Sequence, residues 1–135
     1  MNAKLPQMQC FLSCEAISQE PSGKRSLHGI FDKVSVPEFP GVFKPFSLFA
    51  ILWGGSGKRT ITLRGTDQDG KPLVDETPVT IAAKFTPKTG NELQIQIGML
   101  PLVKPGVITF DLRVDGKRCG WPCIITIEKA PKVTK

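Results

Sequence analysis

The stretch FSLFAILWGGSGKRTITLRGT, residues 46–66, decides the fold. Its first eight residues are apolar on both faces, residues 54–58 form a glycine-rich turn, and residues 59–66 then alternate: Ile61 and Leu63 on one side, Thr60, Thr62 and Arg64 on the other. A period of two sends successive side chains to opposite faces of a strand, so Ile61 and Leu63 face a core while the threonines and the arginine face water. A strand apolar on both faces is covered on both, which makes Phe46 to Trp53 the expected central strand.

The same pattern recurs outward from this stretch. PVTIAAKF, ELQIQIGML, GVITFDLRV and PCIITIE predict strands over residues 79–85, 92–99, 107–114 and 119–128, with Asp115-Gly116 at the tip of the last hairpin. TDQDGK reads as a hairpin connection whose Gly70 takes the left-handed conformation. Residues 72–78 read as loop or as a short extra strand.

Toward the N-terminus, a strand is expected over residues 8–17, with Met8, Cys10, Leu12, Cys14 and Ala16 inward and Gln9, Ser13 and Glu15 outward. EPSGKR turns the chain into SLHGIFDKVSV, where Gly29 interrupts the alternation and suggests a bulge. PEFPGVFKP holds three prolines, which donate no ladder hydrogen bond, so residues 37–45 are a structured loop. Seven or eight strands at this spacing predict an all-β, antiparallel two-sheet sandwich, Ig-like or C2-like, with a small β-barrel as the alternative. The expected organisation is one domain over residues 1–129 and a short basic tail over 130–135.

Composition limits the classes of function. A globule of 135 residues buries roughly two thirds of its unfolded surface, enough for a core without disulfide or metal. With 40% apolar and 22% charged residues, disorder is excluded. No unbroken apolar stretch follows Lys4, so no signal peptide is read, and no run of about eighteen apolar residues predicts a membrane span. A cytoplasmic protein with no membrane partner is expected. The net charge of +6 is spread over turns and ends, at Lys24, Arg25, Lys58, Arg59, Lys117, Arg118, Lys129, Lys132 and Lys135. Aromatic residues are not interleaved with these bases as single-strand binders require, so a nucleic-acid partner is not expected.

Cys14-Glu15, Gly29-Ile30-Phe31-Asp32, Phe39-Pro40 and Asp67-Gln68-Asp69-Gly70, taken together, resemble a family of small bacterial all-β proteins with no assigned activity. The likeness covers about the first 75 residues and leaves out Cys10, Trp121 and Cys123. It implies a stand-alone sandwich domain with no catalytic residues to carry over.

Cys10 with Cys14 and Cys119 with Cys123 share one spacing and suggest a four-thiolate zinc site. On strands, residues four apart lie roughly 13 Å from each other, whereas zinc thiolates sit at ~2.3 Å from the metal. Parity instead places the thiols inward as small hydrophobes, Cys119 and Cys123 beside Trp121; one cross-strand disulfide is the other option. GGSGKRT lacks the first glycine, the Ser/Thr after Lys58 and the helix of a phosphate-binding loop, so it reads as a hairpin turn. Asp67 and Asp69 open like a calcium loop, with Asp32 or Asp75 as further donors, but Pro72 and Leu73 break its register. His28 is the one histidine and is expected to face solvent. Neither metal nor cofactor is expected, and Glu15, Glu20, Asp32, Glu38, Asp75, Glu76 and Asp111 show no catalytic spacing.

Apolar residues in loops carry the functional reading. Phe39, Val42 and Phe43 lie in one proline-bracketed loop, Leu100, Leu102 and Val103 in another, and up-and-down strands put both at one end of the fold if residues 72–78 do not reverse the chain. They form either an exposed apolar rim or, with Phe39 and Phe43 turned inward, a plug over the core. The expectation is a non-enzymatic module that binds another protein through end loops or a strand edge, using Phe39, Val42, Phe43 and Leu102. Pro122 suggests that the last strand is an edge. The alternative is a carbohydrate- or small-ligand-binding domain stacking its ligand on Trp53.

Overall fold

The computed structural model describes residues 4–73 and 79–131. Among the described residues twelve strands follow one another: β1 (Gln7–Gln19), β2 (Arg25–Phe31), β3 (Lys33–Val36), β4 (Gly41–Phe43), β5 (Phe46–Trp53), β6 (Gly57–Thr66), β7 (Val79–Phe85), β8 (Gly90–Ile97), β9 (Leu100–Leu102), β10 (Gly106–Val114), β11 (Lys117–Arg118) and β12 (Cys123–Lys129). The excess over the expected seven or eight comes from the short segments β3, β4, β9 and β11. Among the described residues there is no helix, hence none long and apolar enough to cross a membrane. Asp75, Glu76, Lys132 and Lys135, with the reading of residues 74–78 as loop or strand, lie outside the described residues.

Two main sheets are built. One has the order β2-β1-β5-β8, antiparallel throughout. The other runs β3-β12-β10-β6-β7 with β11 added to β10, and it is mixed because β3 pairs with β12 in parallel. A third, two-stranded ribbon joins β4 to β9. Among the described residues no sheet closes on itself, which removes the barrel alternative.

Alternation explains the core. Leu48, Ala50 and Leu52 of β5 and Leu93, Ile95 and Ile97 of β8 belong to one buried cluster with Ile61 and Leu63 of β6, Phe110 and Leu112 of β10, and Ile125 and Ile127 of β12. Each such side chain contributes roughly 1.5–3 kcal/mol by leaving water. β5 lies between β1 and β8, in the central position expected of it.

Four local expectations are corrected. A register shift between Met8 and Cys10 reverses the phase of β1, so Phe11 and Ser13 pair with core-facing Ala50 and Leu48, while Leu12 and Cys14 stand opposite Phe49 and Ser47 on the outer face. Gly29 sits in unbroken register rather than in a bulge, with φ of +66° and the Glu15 side chain against it. The glycine-rich turn is no hairpin: positive φ at Gly54, Gly55 and Gly57 carries the chain from one sheet into the other. Residues 119–122 are not strand, because Gly120 at φ +69° turns the backbone out of the ladder, and Trp121 is 50% exposed instead of buried.

Candidate functional site

The two proline-bracketed loops meet in the β4–β9 ribbon, which pairs Gly41 with Leu102, Val42 with Pro101 and Phe43 with Leu100. Pro101 has no N–H, so Val42 and Pro101 take the non-hydrogen-bonded position and the flanking pairs carry the ladder. Gly41 is required by close approach, since a Cβ there would lie 2.7 Å from the Glu38 carbonyl oxygen.

Alternation divides the ribbon into two faces. Phe43, Leu100 and Leu102 turn to the core; the Phe43 ring meets Phe31 edge-on at 5.5 Å and Phe46 at 5.3 Å between centroids. Phe46 passes the contact on to Phe110 at 6.0 Å. Val42, 55% exposed, and Pro101 face water, flanked by Met99 at 65% and Val103 at 75%.

The residues expected to bind are therefore split. Phe39 and Phe43 are half-buried and pack against the core. Leu102, 4% exposed, is a core residue and offers no surface to a partner. Val42 stays on the rim. Trp53 lies elsewhere, 41% exposed at the end of β5, and directly opposite Gly90, where a Cβ would come 3.3 Å from its ring. Met99 escaped sequence reading because it shares the parity of buried Leu93, Ile95 and Ile97, which predicts an inward side chain; β8 ends at Ile97, and Met99 lies between it and β9.

The charges around the ribbon are engaged. Lys104 Nζ lies 2.7 Å from Asp69 Oδ2, and that hydrogen bond holds the Asp69 carboxyl below its ordinary range. Asp67 Oδ1 accepts the N–H groups of Asp69 at 2.8 Å and Lys71 at 3.0 Å, closing the turn at Gly70. A cation in this loop would compete with the Lys104 ammonium. Lys44 approaches Glu15 at 3.8 Å.

The four thiols are free. Cys14, Cys119 and Cys123 are buried and Cys10 half-buried, and burial pushes each thiol up. Cys14 faces away from the core that Cys119 and Cys123 share, so the interior common to all four does not exist. Among the described residues no group of three His, Cys, Asp or Glu is placed to hold a metal. His28 is exposed, with Nε2 2.8 Å from Ser18 Oγ. The last strand is not an edge over Thr126 to Lys129, where β3 covers it; only the segment after Pro122 is open on that side, at Ile124, 51% exposed.

A sequence model of the family described as "Family of unknown function (DUF6941)" matches residues 9–120, from β1 to the bend before Trp121. No curated protein matches the chain.

Proposed function

The chain belongs to DUF6941, a family of unknown function, and we propose that it is a non-catalytic two-sheet sandwich domain that binds another protein through the tip of the β4–β9 ribbon. One observation carries this reading: Val42, Met99 and Val103 stand exposed on a ribbon whose opposite face, Phe43, Leu100 and Leu102, is fixed in the core. Clustered apolar side chains in water favour association, and a preorganised carrier loses little conformational entropy when it binds. Four free thiols suit a reducing compartment, which supports a cytoplasmic location. Glycan stacking on Trp53 has less support, since part of its ring rests over Gly90.

The test is a pull-down from native cell extract with the wild type beside a Val42→Asp/Val103→Asp variant. The expected result is a protein retained by the wild type and lost by a variant that melts within a few degrees of it. Equal retention by both would end the ribbon reading.

A further inference from the structure

The outer face of the mixed sheet, at the β6–β7–β10–β11 end, is assembled against its own charge. Lys58 stands directly opposite Lys84 across β6 and β7, and Arg113 directly opposite Arg118 across β10 and β11. Opposed side chains have Cβ atoms ~5 Å apart, where like charges repel and destabilise the pair. Arg64 is opposite Asp111, whose Oδ1 lies 3.7 Å from Arg118 Nε, so the one carboxylate at these outward positions stands beside two of the five cations. Among the described residues no carboxylate pairs with Lys58, Lys84, Arg64 or Arg113. Arg113 Nη1 reaches the Gly116 carbonyl oxygen at 3.3 Å, but its buried Nε and the buried Asp111 Oδ1 have no hydrogen-bond partner.

Other bases of the fold have found acids: Arg25 with Glu92 at 3.0 Å, Lys104 with Asp69 at 2.7 Å and, at the adjoining β10–β11 turn, Arg59 with Asp115 at 2.9 Å. Repulsive cross-strand pairs and incomplete hydrogen bonding are therefore concentrated on this face. An incoming carboxylate relieves the repulsion, since guanidinium forks take carboxylates two bonds at a time.

We propose that this face docks an acidic segment of a protein partner, with Arg64, Arg113 and Arg118 receiving its carboxylates and Lys58 and Lys84 extending the attraction. A polypeptide fits better than a nucleic acid for two reasons. The outward positions of β6, β7, β10 and β11 carry no aromatic ring on which bases would stack. Asp111 repels evenly spaced phosphates, whereas a peptide can offer it an N–H or hydroxyl donor. The surface is separate from the ribbon tip, and each can fail without the other.

The experiment titrates the full chain with a glutamate decapeptide and, in parallel, with a single-stranded oligonucleotide of equal charge, at about 0.1 M salt. The expected result is peptide binding that weakens tenfold or more in Arg64→Glu/Arg118→Glu and is unchanged in Val42→Asp/Val103→Asp. Absence of peptide binding, indifference to the arginine reversals, or tighter binding of the oligonucleotide would each overturn the proposal. Lys84→Glu in the free protein supplies a second readout. Its Tm rises if the Lys58–Lys84 repulsion is real, and an unchanged or lower Tm also counts against the proposal.

Discussion

Val42 and Pro101 stand face to face on the water side of the β4–β9 ribbon, while Phe43 and Leu100, one pair along, face the core. A single step along the strand thus separates a residue free to touch a partner from one that holds the fold.

That separation can be measured by thermal melting. Phe43→Ser removes ring contacts with Phe31 and Phe46 from a half-buried site, and a loss of about 2–3 kcal/mol, roughly 10 °C in Tm, is expected. Val42→Asp changes a side chain already in water and should cost within about 0.5 kcal/mol. Equal effects at the two positions would mean that Val42 is structural too.

The thiols give a test at high pH. Burial raises all four above their ordinary value of 9.0, so in the fold they stay neutral at a pH where the unfolded chain ionises. Their contribution is complete below about pH 9 and is lost as the pH climbs from there through the raised values. Melts between pH 7.5 and 10 should show a steeper decline for the wild type than for a Cys119→Ala/Cys123→Ala variant. A thiol reagent should find four groups after unfolding and, before it, Cys10 fastest.

Gly120 supports a sharper prediction. Its φ of +69° disfavours any side chain, and an added Cβ would lie 2.6 Å from both Cβ and Sδ of Met8. Gly120→Ala should cost about 2–3 kcal/mol, combining backbone strain with displaced packing at the start of β1. A Tm within a degree or two of the wild type would show that the bend adapts.

Acid should act at the β10–β11 turn. Asp115 Oδ1 accepts the Thr60 N–H at 3.0 Å and Oδ2 accepts from Arg59 Nη1 at 2.9 Å, and these hold its carboxyl below the ordinary 3.8. A depressed value means stability present above about pH 3.8 and lost as the pH falls through the folded value. Asp115→Asn, which keeps the turn at φ +51° accessible, should flatten the decline in Tm between pH 5 and pH 2. An identical decline in both proteins would move the acid sensitivity to other carboxylates.

Strand alternation was legible wherever a strand is regular and one face polar, as with Ile61 and Leu63 against Thr60 and Arg64. It failed at β1 because Phe11 and Leu12 are adjacent and both apolar: either phase satisfies the pattern, and the register shift after Met8 selects the one that parity from residue 8 rejects. It failed at Trp121 because parity was carried through Gly120, where the chain is not extended. The convergence of the two proline-bracketed loops followed from strands alternating in direction, and β4 and β9 do pair. The opposed bases were invisible for a different reason. Lys58 and Lys84 look scattered along the chain, and only the register between β6 and β7 makes them neighbours.

The parallel pairing of β3 with β12 ties Lys33–Val36 to a strand synthesised some ninety residues later, Ser35 Oγ donating to Glu128 Oε1 across a separation of 93. A ribosome making this chain releases Val34 and Val36 long before Ile125 and Ile127 exist to cover them. Much of translation therefore passes with Lys33–Val36 lacking its partner strand, a non-local pairing of the kind that closes late in folding.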